Sequence, residues 1–219
     1  MQDRHLLRYS RQIMLPEFDY AGQTALLAAR VLVVGLGGLG CPVALYLAAA
    51  GVGELILADD DQVDNTNLQR QIAHTEAAVG SSKVVSAAAA IGRINSDTKV
   101  TGIVDRLEGE VLWQQVKQVN LMIDCSDNFT TRIALNQASI KANKPLVYGA
   151  AIRFEGQVSV FDPRHPQSPC YRCLYSQVGE QNFSCTDNGV IAPLVGIIGS
   201  IQALEAVKLI TGVGESLTG

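Results

Sequence analysis

Short apolar runs rich in β-branched residues alternate along the chain with longer segments in which apolar positions recur at helical spacing. The pattern predicts strands at 30–34, 54–58, 98–104, 119–124 and 145–149, and an extended segment at 157–161. It predicts helices at 4–14, 22–29, 39–50, 80–93, 109–117, 129–142 and 192–212. This alternation is typical of an α/β domain in which helices cover both faces of a mostly parallel sheet. We expect one such domain over residues 1–219, a length that builds one sizeable core.

One almost entirely apolar segment, residues 189–204, resembles a membrane span in composition. It is shorter than the ~20 residues that a span needs, contains Pro193 and three glycines, and leads into Glu205 and Lys208. We interpret it as a buried core or interface helix and expect no association with a membrane. The N-terminus lacks the regions of a signal peptide, and five cysteines without secretory features do not indicate a disulfide framework. We therefore expect a cytoplasmic protein.

The composition is unusually apolar. Hydrophobic residues make up 47% of the chain and charged residues 17%, against roughly 25% charged in an ordinary soluble domain. A buried parallel sheet and a subunit interface both account for such an excess. The formal net charge of -4 gives no support to nucleic-acid binding or to contact with an anionic membrane.

The glycine-rich turn after the first predicted strand is the strongest chemical signal. Gly35, Gly37, Gly38 and Gly40 stand between an apolar β-branched run and a predicted helix. Glycines there permit a tight turn and close approach of a phosphate, and the N–H groups of a helix N-terminus attract the anion. Asp59 ends the next strand, where an acid of a Rossmann-like site hydrogen-bonds a ribose hydroxyl. We predict a nucleotide site in a Rossmann-like fold; the alternative is a structural turn and a surface carboxylate.

Polar side chains between the second strand and the next helix are candidate nucleotide and phosphate ligands. Asn67, Arg70 and Gln71 lie close together in sequence, and Lys83 begins the following helix. A guanidinium forks onto phosphate oxygens, and a lysine adds a point charge. Asp61 is a further candidate, although carboxylates in turns are commonly only solvated. The cations count as ligands only if they lie near the carboxyl ends of the strands, where open α/β sheets bind ligands.

Asp127 and Asn128 follow the strongly apolar strand at 119–124. A carboxylate with a neighbouring amide suits a hydrated Mg²⁺ that bridges phosphates. The alternative is that one of these residues, or Ser126, caps the helix that follows. Spacing does not separate the two interpretations for Asp127.

The cysteines in the 165–188 loop leave several possibilities open. Cys170 and Cys173 form a CxxC, which supplies half of a tetrahedral zinc site, but the 219 residues contain no second CxxC. Either further C-terminal residues complete the site, or the pair is redox-active or idle. Cys185 stands in a polar loop and is a candidate nucleophile, although a lone loop cysteine is usually inert.

Taken together, these segments resemble the ThiF/MoeB/HesA family, bacterial relatives of ubiquitin-activating enzymes. The marks of the resemblance, in chain order, are RYSRQI (8–13), GLGGLG (35–40), ADDD (58–61), NLQRQ (67–71), Lys83, DCSDN (124–128), CYRC (170–173) and SCTDNGVIAP (184–193) leading into GSIQALEAVKLITG (199–212). They extend over nearly the whole chain.

The resemblance implies adenylation of the C-terminal glycine carboxylate of a ubiquitin-like sulfur carrier ending in Gly-Gly, with MgATP as co-substrate and pyrophosphate as product. It implies that the 35–40 glycines and Asp59 hold the nucleotide. It also implies that the phosphates and Mg²⁺ are bound by Asn67, Arg70, Lys83 and Asp127.

The same resemblance gives roles to residues that the pattern alone does not place. Arg11 matches an arginine that dimers of the family insert into the partner's active site, so we expect a homodimer. Cys185 matches a loop cysteine that some thiamin-pathway members use covalently. Cys170 and Cys173 match half of a zinc site that members usually close with a second CxxC.

Two other functions stay open at this point. A NAD- or FAD-dependent oxidoreductase would use the glycine turn and Asp59 but has no need of Arg70, Lys83 and Asp127 at the phosphates. A non-catalytic scaffold would bind nucleotide and carrier without turnover. Whether the carrier serves thiamin or molybdopterin biosynthesis is also open, because ADDD (58–61) favours the first and the 189–200 segment favours the second.

Overall fold

The computed structural model describes residues 1–175 and 189–218. The strands are β1 (Arg30–Val34), β2 (Glu54–Ala58), β3 (Lys99–Ile103), β4 (Leu121–Asp124), β5 (Leu146–Ile152) and β6 (Glu155–Phe161). The helices are α1 (Asp3–Arg8), α2 (Ser10–Ile13), α3 (Asp19–Ala28), α4 (Gly40–Ala50), α5 (Lys83–Ile94), α6 (Gly109–Lys117), α7 (Phe129–Ala142), α8 (Tyr171–Leu174) and α9 (Ala192–Thr211). Short 3-10 turns cover Asn65–Asn67 and Glu76–Ala78.

The six strands form one sheet in the order β3-β2-β1-β4-β5-β6. All neighbours are parallel except β5 and β6, which form an antiparallel hairpin. The chain runs outward from β1 in one direction and then returns to β4 on its other side. This reversal opens a crevice beyond the carboxyl ends of β1 and β4, where sheets of this kind bind ligands. The predicted mostly parallel, Rossmann-like α/β fold is confirmed.

Side chains of β1 alternate between two apolar cores. Val31 and Val33 pack into the cluster that includes residues of α3, α4, α5 and α9. Leu32 and Val34 pack into the cluster on the opposite face, with residues of α6 and α7. Because successive strand residues point to opposite faces, a strand covered on both sides has to be apolar throughout. The continuous apolar run at 31–34 therefore matches the position of this strand at the centre of the sheet.

Helix α9 is the one helix in the described ranges that is long and apolar enough to cross a membrane by length and composition alone. Here it packs against the sheet: Val195, Ile198 and Ala206 are buried in the first core. Gln202, fully buried, donates to the carbonyl of Asp124 at 2.8 Å. The apolar segment therefore contributes to the core, as its composition and interruptions predict.

Several boundaries differ from the predicted ones, and three of these differences have a clear physical reason. The predicted helix 4–14 is broken at Tyr9, whose hydroxyl accepts a hydrogen bond from Asn95 at 2.8 Å. The helix predicted from residue 80 begins at Lys83, because the Ser82 hydroxyl accepts from the Val84 N–H and caps it. The strand predicted to end at 149 continues to Ile152 because it pairs with β6, a contact that periodicity does not register.

Candidate functional site

A cleft of about 380 Å³ opens at the carboxyl ends of the parallel strands. It brings together predicted residues from five separate segments of the chain: Gly35, Gly37, Gly38, Asp59, Asp61, Arg70, Gln71, Lys83, Asp127 and Asn128. The fold thus collects residues that are up to 93 positions apart in sequence, from Gly35 to Asn128, around one cavity. Gly40, Asn67, Arg11, Cys170 and Cys173 are not among the residues that line it.

The glycine-rich loop owes its shape to contacts that a side chain would block. Gly35 has φ +90°, and a Cβ there would stand 2.7 Å from the Cys125 carbonyl oxygen. At Gly40 a Cβ would stand 1.9 Å from the Gly35 carbonyl oxygen, so this glycine permits α4 to begin directly against the end of β1. At Gly37, by contrast, a Cβ would meet only the Gln71 side chain, at 3.6 Å. The protein itself leaves room at Gly37, and that room faces the cleft.

Asp59 is held at the end of β2 by two backbone groups. Its carboxylate accepts from the Leu36 N–H at 2.6 Å and from the Asp61 N–H at 2.9 Å. Burial raises the pKa of Asp59, while Lys83 and these N–H groups oppose the shift. The hydrogen bond from Leu36 joins Asp59 to the glycine-rich loop. The two predicted nucleotide-binding elements are therefore held in fixed positions relative to each other.

Lys83 is the first residue of α5 and its side chain is only 6% exposed. A cation at a helix N-terminus opposes the helix dipole, and two carboxylates compensate. Lys83 Nζ lies 2.6 Å from Asp61 and 4.0 Å from Asp59. The Asp61 side chain, 69% exposed, holds this cation at the edge of the cleft.

Arg70 reaches the cleft from the loop after β2, supported by Asn67. Its guanidinium donates to the Asn67 side chain at 2.5 Å and to the Thr66 carbonyl at 3.4 Å. Asn67 itself does not line the cleft. The structure therefore places Asn67 behind Arg70, where it orients the guanidinium.

The loop after β4 separates the two interpretations of Asp127 and Asn128. Asn128 caps α7, since its side chain accepts from the Thr131 N–H at 2.9 Å. Asp127 is exposed, lines the cleft and takes no part in the cap. The capping interpretation is thus right for Asn128, and the Asp127 carboxylate is left facing the cavity.

Sequence reasoning missed Arg132 and Arg106, which also line the cleft, and considered Ser126, a further lining residue, only as a helix cap. Arg132 donates to the Ser126 carbonyl at 3.0 Å, and its guanidinium lies 5.3 Å from the centre of the Tyr148 ring. The spacing of Asn128 and Arg132, one helical turn apart, is a signal that would have found it. Nothing in the local pattern singles out Arg106.

Asp124 is buried beneath the same loop. Its carboxylate accepts from the Ser126 N–H at 2.9 Å and from the Ser126 hydroxyl at 2.6 Å. Burial raises the pKa of Asp124, and the neighbouring Arg132 opposes that rise. Asp124 is therefore part of the support of the Asp127 loop, beneath the cleft surface.

Two buried cysteines near the loop have inert environments. Burial raises the pKa of the Cys41 thiol to about 12 and raises that of Cys125 well above its usual range. A thiolate is the reactive form, so these side chains pack and do not react.

Arg11, Cys170 and Cys173 do not line the cleft. Arg11 is exposed on α2. Cys185 lies outside the described residues. Cys170 is the N-cap residue of α8 and Cys173 lies within that helix, with their sulfurs 3.4 Å apart. Burial acts to raise the pKa of Cys170, but hydrogen bonds from Cys173 and the backbone outweigh it and lower the pKa.

The residues present fit magnesium better than zinc. Mg²⁺ keeps several waters and takes one or two carboxylates plus phosphates, which matches the exposed Asp127 in a cleft rich in cations. Structural zinc needs four ligands. Within residues 1–175 and 189–218, no third His, Cys, Asp or Glu joins Cys170 and Cys173 in a metal-binding group, so the described chain supplies half of a zinc site.

Known proteins resemble this chain along its whole length. A molybdopterin-synthase adenylyltransferase of Salmonella typhimurium is 49% identical over 219 residues, covering 100% of this chain and 88% of the relative. A sulfur carrier protein ThiS adenylyltransferase of Escherichia coli is 45% identical over 213 residues, covering 97% of this chain and 84% of the relative.

Solved structures share the fold. The crystal structure of E. coli MccB with ATP superposes with a TM-score of 0.80 at 25% identity, covering 96% of this chain. The chain spans 65% of that MccB chain. Residues 9–219 match the ThiF family, and we conclude that the chain belongs to the ThiF family.

Proposed function

We propose that this protein is an adenylyltransferase that activates the C-terminal glycine carboxylate of a ubiquitin-like sulfur carrier ending in Gly-Gly. The observation that carries the proposal is the convergence of Arg70, Lys83 and Asp127 on the cleft that the glycine-rich loop and Asp59 begin. The names of two relatives, a molybdopterin-synthase adenylyltransferase and a ThiS adenylyltransferase, support the same chemistry.

The reaction requires alignment and charge neutralisation more than proton transfer. An oxygen of the carrier carboxylate attacks the α-phosphorus of ATP, the bond from that phosphorus to the oxygen bridging to the β-phosphate breaks, and pyrophosphate leaves with the electron pair. The nucleophile is already ionised, so no strong base is needed. Arg70 and Lys83 stand where negative charge grows on the departing phosphates.

Two sets of residues are proposed to bind metal ions. Asp127 would hold Mg²⁺, which supplies further neutralisation of the phosphate oxygens when bound. Cys170 and Cys173 would contribute two thiolates to a zinc site, which requires two more ligands from outside the described residues.

The proposed assembly is a homodimer in the cytoplasm. Arg11 is exposed on α2, away from the cleft lining of its own chain, and the proposal places it at the active site of the partner subunit. Exposed apolar residues on α9, Ile197 and Leu204, are the sort of surface that a second subunit covers.

A redox enzyme and a non-catalytic scaffold are less well supported. A dehydrogenase uses the glycine-rich loop and Asp59, but Lys83 and Arg70 beside them suit a triphosphate. The relatives named above are adenylyltransferases. A titration separates the functions: tight NAD(H) binding without affinity for MgATP supports the dehydrogenase, whereas binding of ATP and carrier without turnover supports the scaffold.

The experiment that tests the proposal is ATP–pyrophosphate exchange with a panel of thiamin-type and molybdopterin-type carriers. We expect exchange that requires MgATP and one of these carriers, and a fall of about a hundredfold or more in Asp127→Ala, because that variant loses an electrostatic contact to the transition state. Glu110→Gln, an exposed change on α6, is the matched control. Absence of exchange with every carrier would refute the proposal.

A further inference from the structure

His74 is buried beneath the glycine-rich loop, and the proposed chemistry gives it no task. Only 6% of the residue is exposed. It follows the segment that carries Arg70 and Gln71, and its N–H donates to the Gln71 carbonyl at 3.0 Å. A polar ring buried this deeply is costly unless both of its nitrogens have partners.

Both ring nitrogens of His74 have such partners, and the partners fix the tautomer. Nε2 lies 3.0 Å from the Leu36 carbonyl oxygen, and Nδ1 lies 2.9 Å from the Ser86 hydroxyl. A carbonyl only accepts, so Nε2 carries the proton and donates to Leu36. Nδ1 then accepts from the Ser86 hydroxyl.

Leu36 is the residue through which His74 reaches the nucleotide elements. Its N–H donates to Asp59 at 2.6 Å, and its carbonyl accepts from His74 on the other side. Leu36 lies between Gly35 and Gly37, which have no side chains to restrict the backbone, and its two hydrogen bonds hold the peptide groups on either side of it. Hydrogen bonds at both ends of Leu36 therefore determine where the loop and the Asp59 carboxylate stand.

We propose that His74 is a positioning residue that fixes the glycine-rich loop and Asp59 for the ribose and α-phosphate of ATP. The inference rests on the proposed nucleotide chemistry, and it concerns the nucleoside half of the ligand. Arg70 and Lys83 act on the outer phosphates. His74 acts through Leu36 and does not itself line the cleft.

Two substitutions at position 74 separate the hydrogen bond to Leu36 from the hydrogen bond to Ser86. The amide nitrogen of a glutamine stands near the place of Nε2, so His74→Gln retains a donor for Leu36. The amide of an asparagine stands near the place of Nδ1, so His74→Asn retains a partner for Ser86 but not for Leu36. Both variants lose the ring and have similar polarity, which makes each the control of the other.

The test is calorimetric titration of the full chain with ATP and, separately, with AMP. For His74→Asn we expect affinities for both nucleotides to fall by a similar factor, about fivefold to tenfold, the value of one hydrogen bond. For His74→Gln we expect both affinities to stay within about twofold of the wild type, because the bond to Leu36 remains. Arg70→Gln is the reference for the outer phosphates and is expected to lose affinity for ATP and not for AMP.

Ser86→Ala provides a second route if His74→Asn does not fold. Removing the hydroxyl leaves the ring held by the Leu36 carbonyl alone, so its orientation is less well fixed and the bond from Nε2 to Leu36 weakens. We expect a loss in the same direction as in His74→Asn, again equal for ATP and AMP.

The inference is overturned if the two position-74 variants bind both nucleotides equally well, or if His74→Asn loses affinity for ATP alone. A lower melting temperature without a change in affinity also overturns it, because the residue then acts only on stability. These results differ from a failure of the proposed function. If the wild type binds ATP and AMP but adenylates no carrier, that function fails while the titrations still decide the role of His74.

Discussion

At the scale of single residues, the charged groups of the cleft are held in place by neighbouring side chains and backbone groups. Asn67 holds Arg70, Asp61 holds Lys83, and Asp124 holds the loop before Asp127. Each supporting bond involves a charged group, and such bonds are stronger than neutral ones. The positions of the cations are therefore set by the protein before any ligand arrives.

The buried His74 gives a prediction about pH. Burial lowers its pKa; Lys83 also lowers it, while the Leu36 carbonyl and Asp59 act in the opposite direction. The unfolded chain has a His pKa of about 6.5, so below that pH it binds a proton that the folded chain resists. The free energy of unfolding should therefore decrease as the pH falls through this window.

The comparison that isolates the effect is urea unfolding of the wild type and His74→Gln between about pH 7 and about pH 5.5. The wild type should lose more stability than the variant over this range, because glutamine does not titrate. Burial raises the pKa values of Asp59 and Asp124, so these carboxyls increase the free energy of unfolding as the pH falls. Both are present in the wild type and in the variant, so their contributions cancel in the comparison. Parallel profiles would contradict the assignment of a neutral buried ring.

At the scale of the elements, local sequence specifies most boundaries. Ser82 and Asn128 cap α5 and α7 through side-chain acceptors, and Gly51 and Gly212 end α4 and α9 with positive φ. These residue types are readable in the sequence. The extension of β5 and the break at Tyr9 are not, since each depends on a partner distant in the chain.

The junction of β1 and α4 gives a prediction about glycine. In Gly40→Ala the new Cβ would stand 1.9 Å from the Gly35 carbonyl oxygen, so backbone has to move. We expect a loss of about 1–3 kcal/mol in the free energy of unfolding, the usual cost of overpacking. Gly92→Ala is the matched control.

At Gly92, within α5, a Cβ meets nothing within 4 Å. Alanine there should increase stability by about 0.5–1 kcal/mol through helix propensity. Urea midpoints of the two variants measure both effects. Equal effects of the two substitutions would mean that the approach of α4 to Gly35 is not tight.

At the scale of the whole molecule, the sequence predicts the fold and the composition of the cleft well. The alternating apolar runs predict a mostly parallel sheet, and the glycine placement predicts the turn that begins the nucleotide site. The carboxyl ends of parallel strands meet at one edge, which is why residues distant in sequence could be assigned to one cleft. Arg132 was missed because its role depends on the Ser126 carbonyl and Tyr148, which only the folded chain brings to it. Asn128 caps α7 whereas its neighbour Asp127 lines the cleft. This difference likewise depends on loop geometry that spacing does not define.

The proposed dimer gives a prediction that uses two inactive proteins. If Arg11 acts in the active site of the partner subunit, Arg11→Ala and Asp127→Ala each lose exchange activity alone. Mixed dimers then contain one complete site, because one subunit supplies Arg11 and the other supplies Asp127.

Mixing the two variants under conditions of subunit exchange should restore activity, up to about a quarter of the wild-type value if half of the dimers are mixed and each has one of two sites intact. The wild type diluted into each single variant provides the control for exchange. Failure to recover activity, with mixed dimers demonstrated, would mean that Arg11 does not act across the interface.

The measurement that tests the central claim most directly is the intact mass of a Gly-Gly-ending sulfur carrier after incubation with this protein and MgATP. The account predicts that the carrier gains the mass of one adenylyl group, that added pyrophosphate reverses the gain, and that Asp127→Ala abolishes it. A carrier whose mass never changes, from a wild-type protein that binds MgATP, would contradict the account.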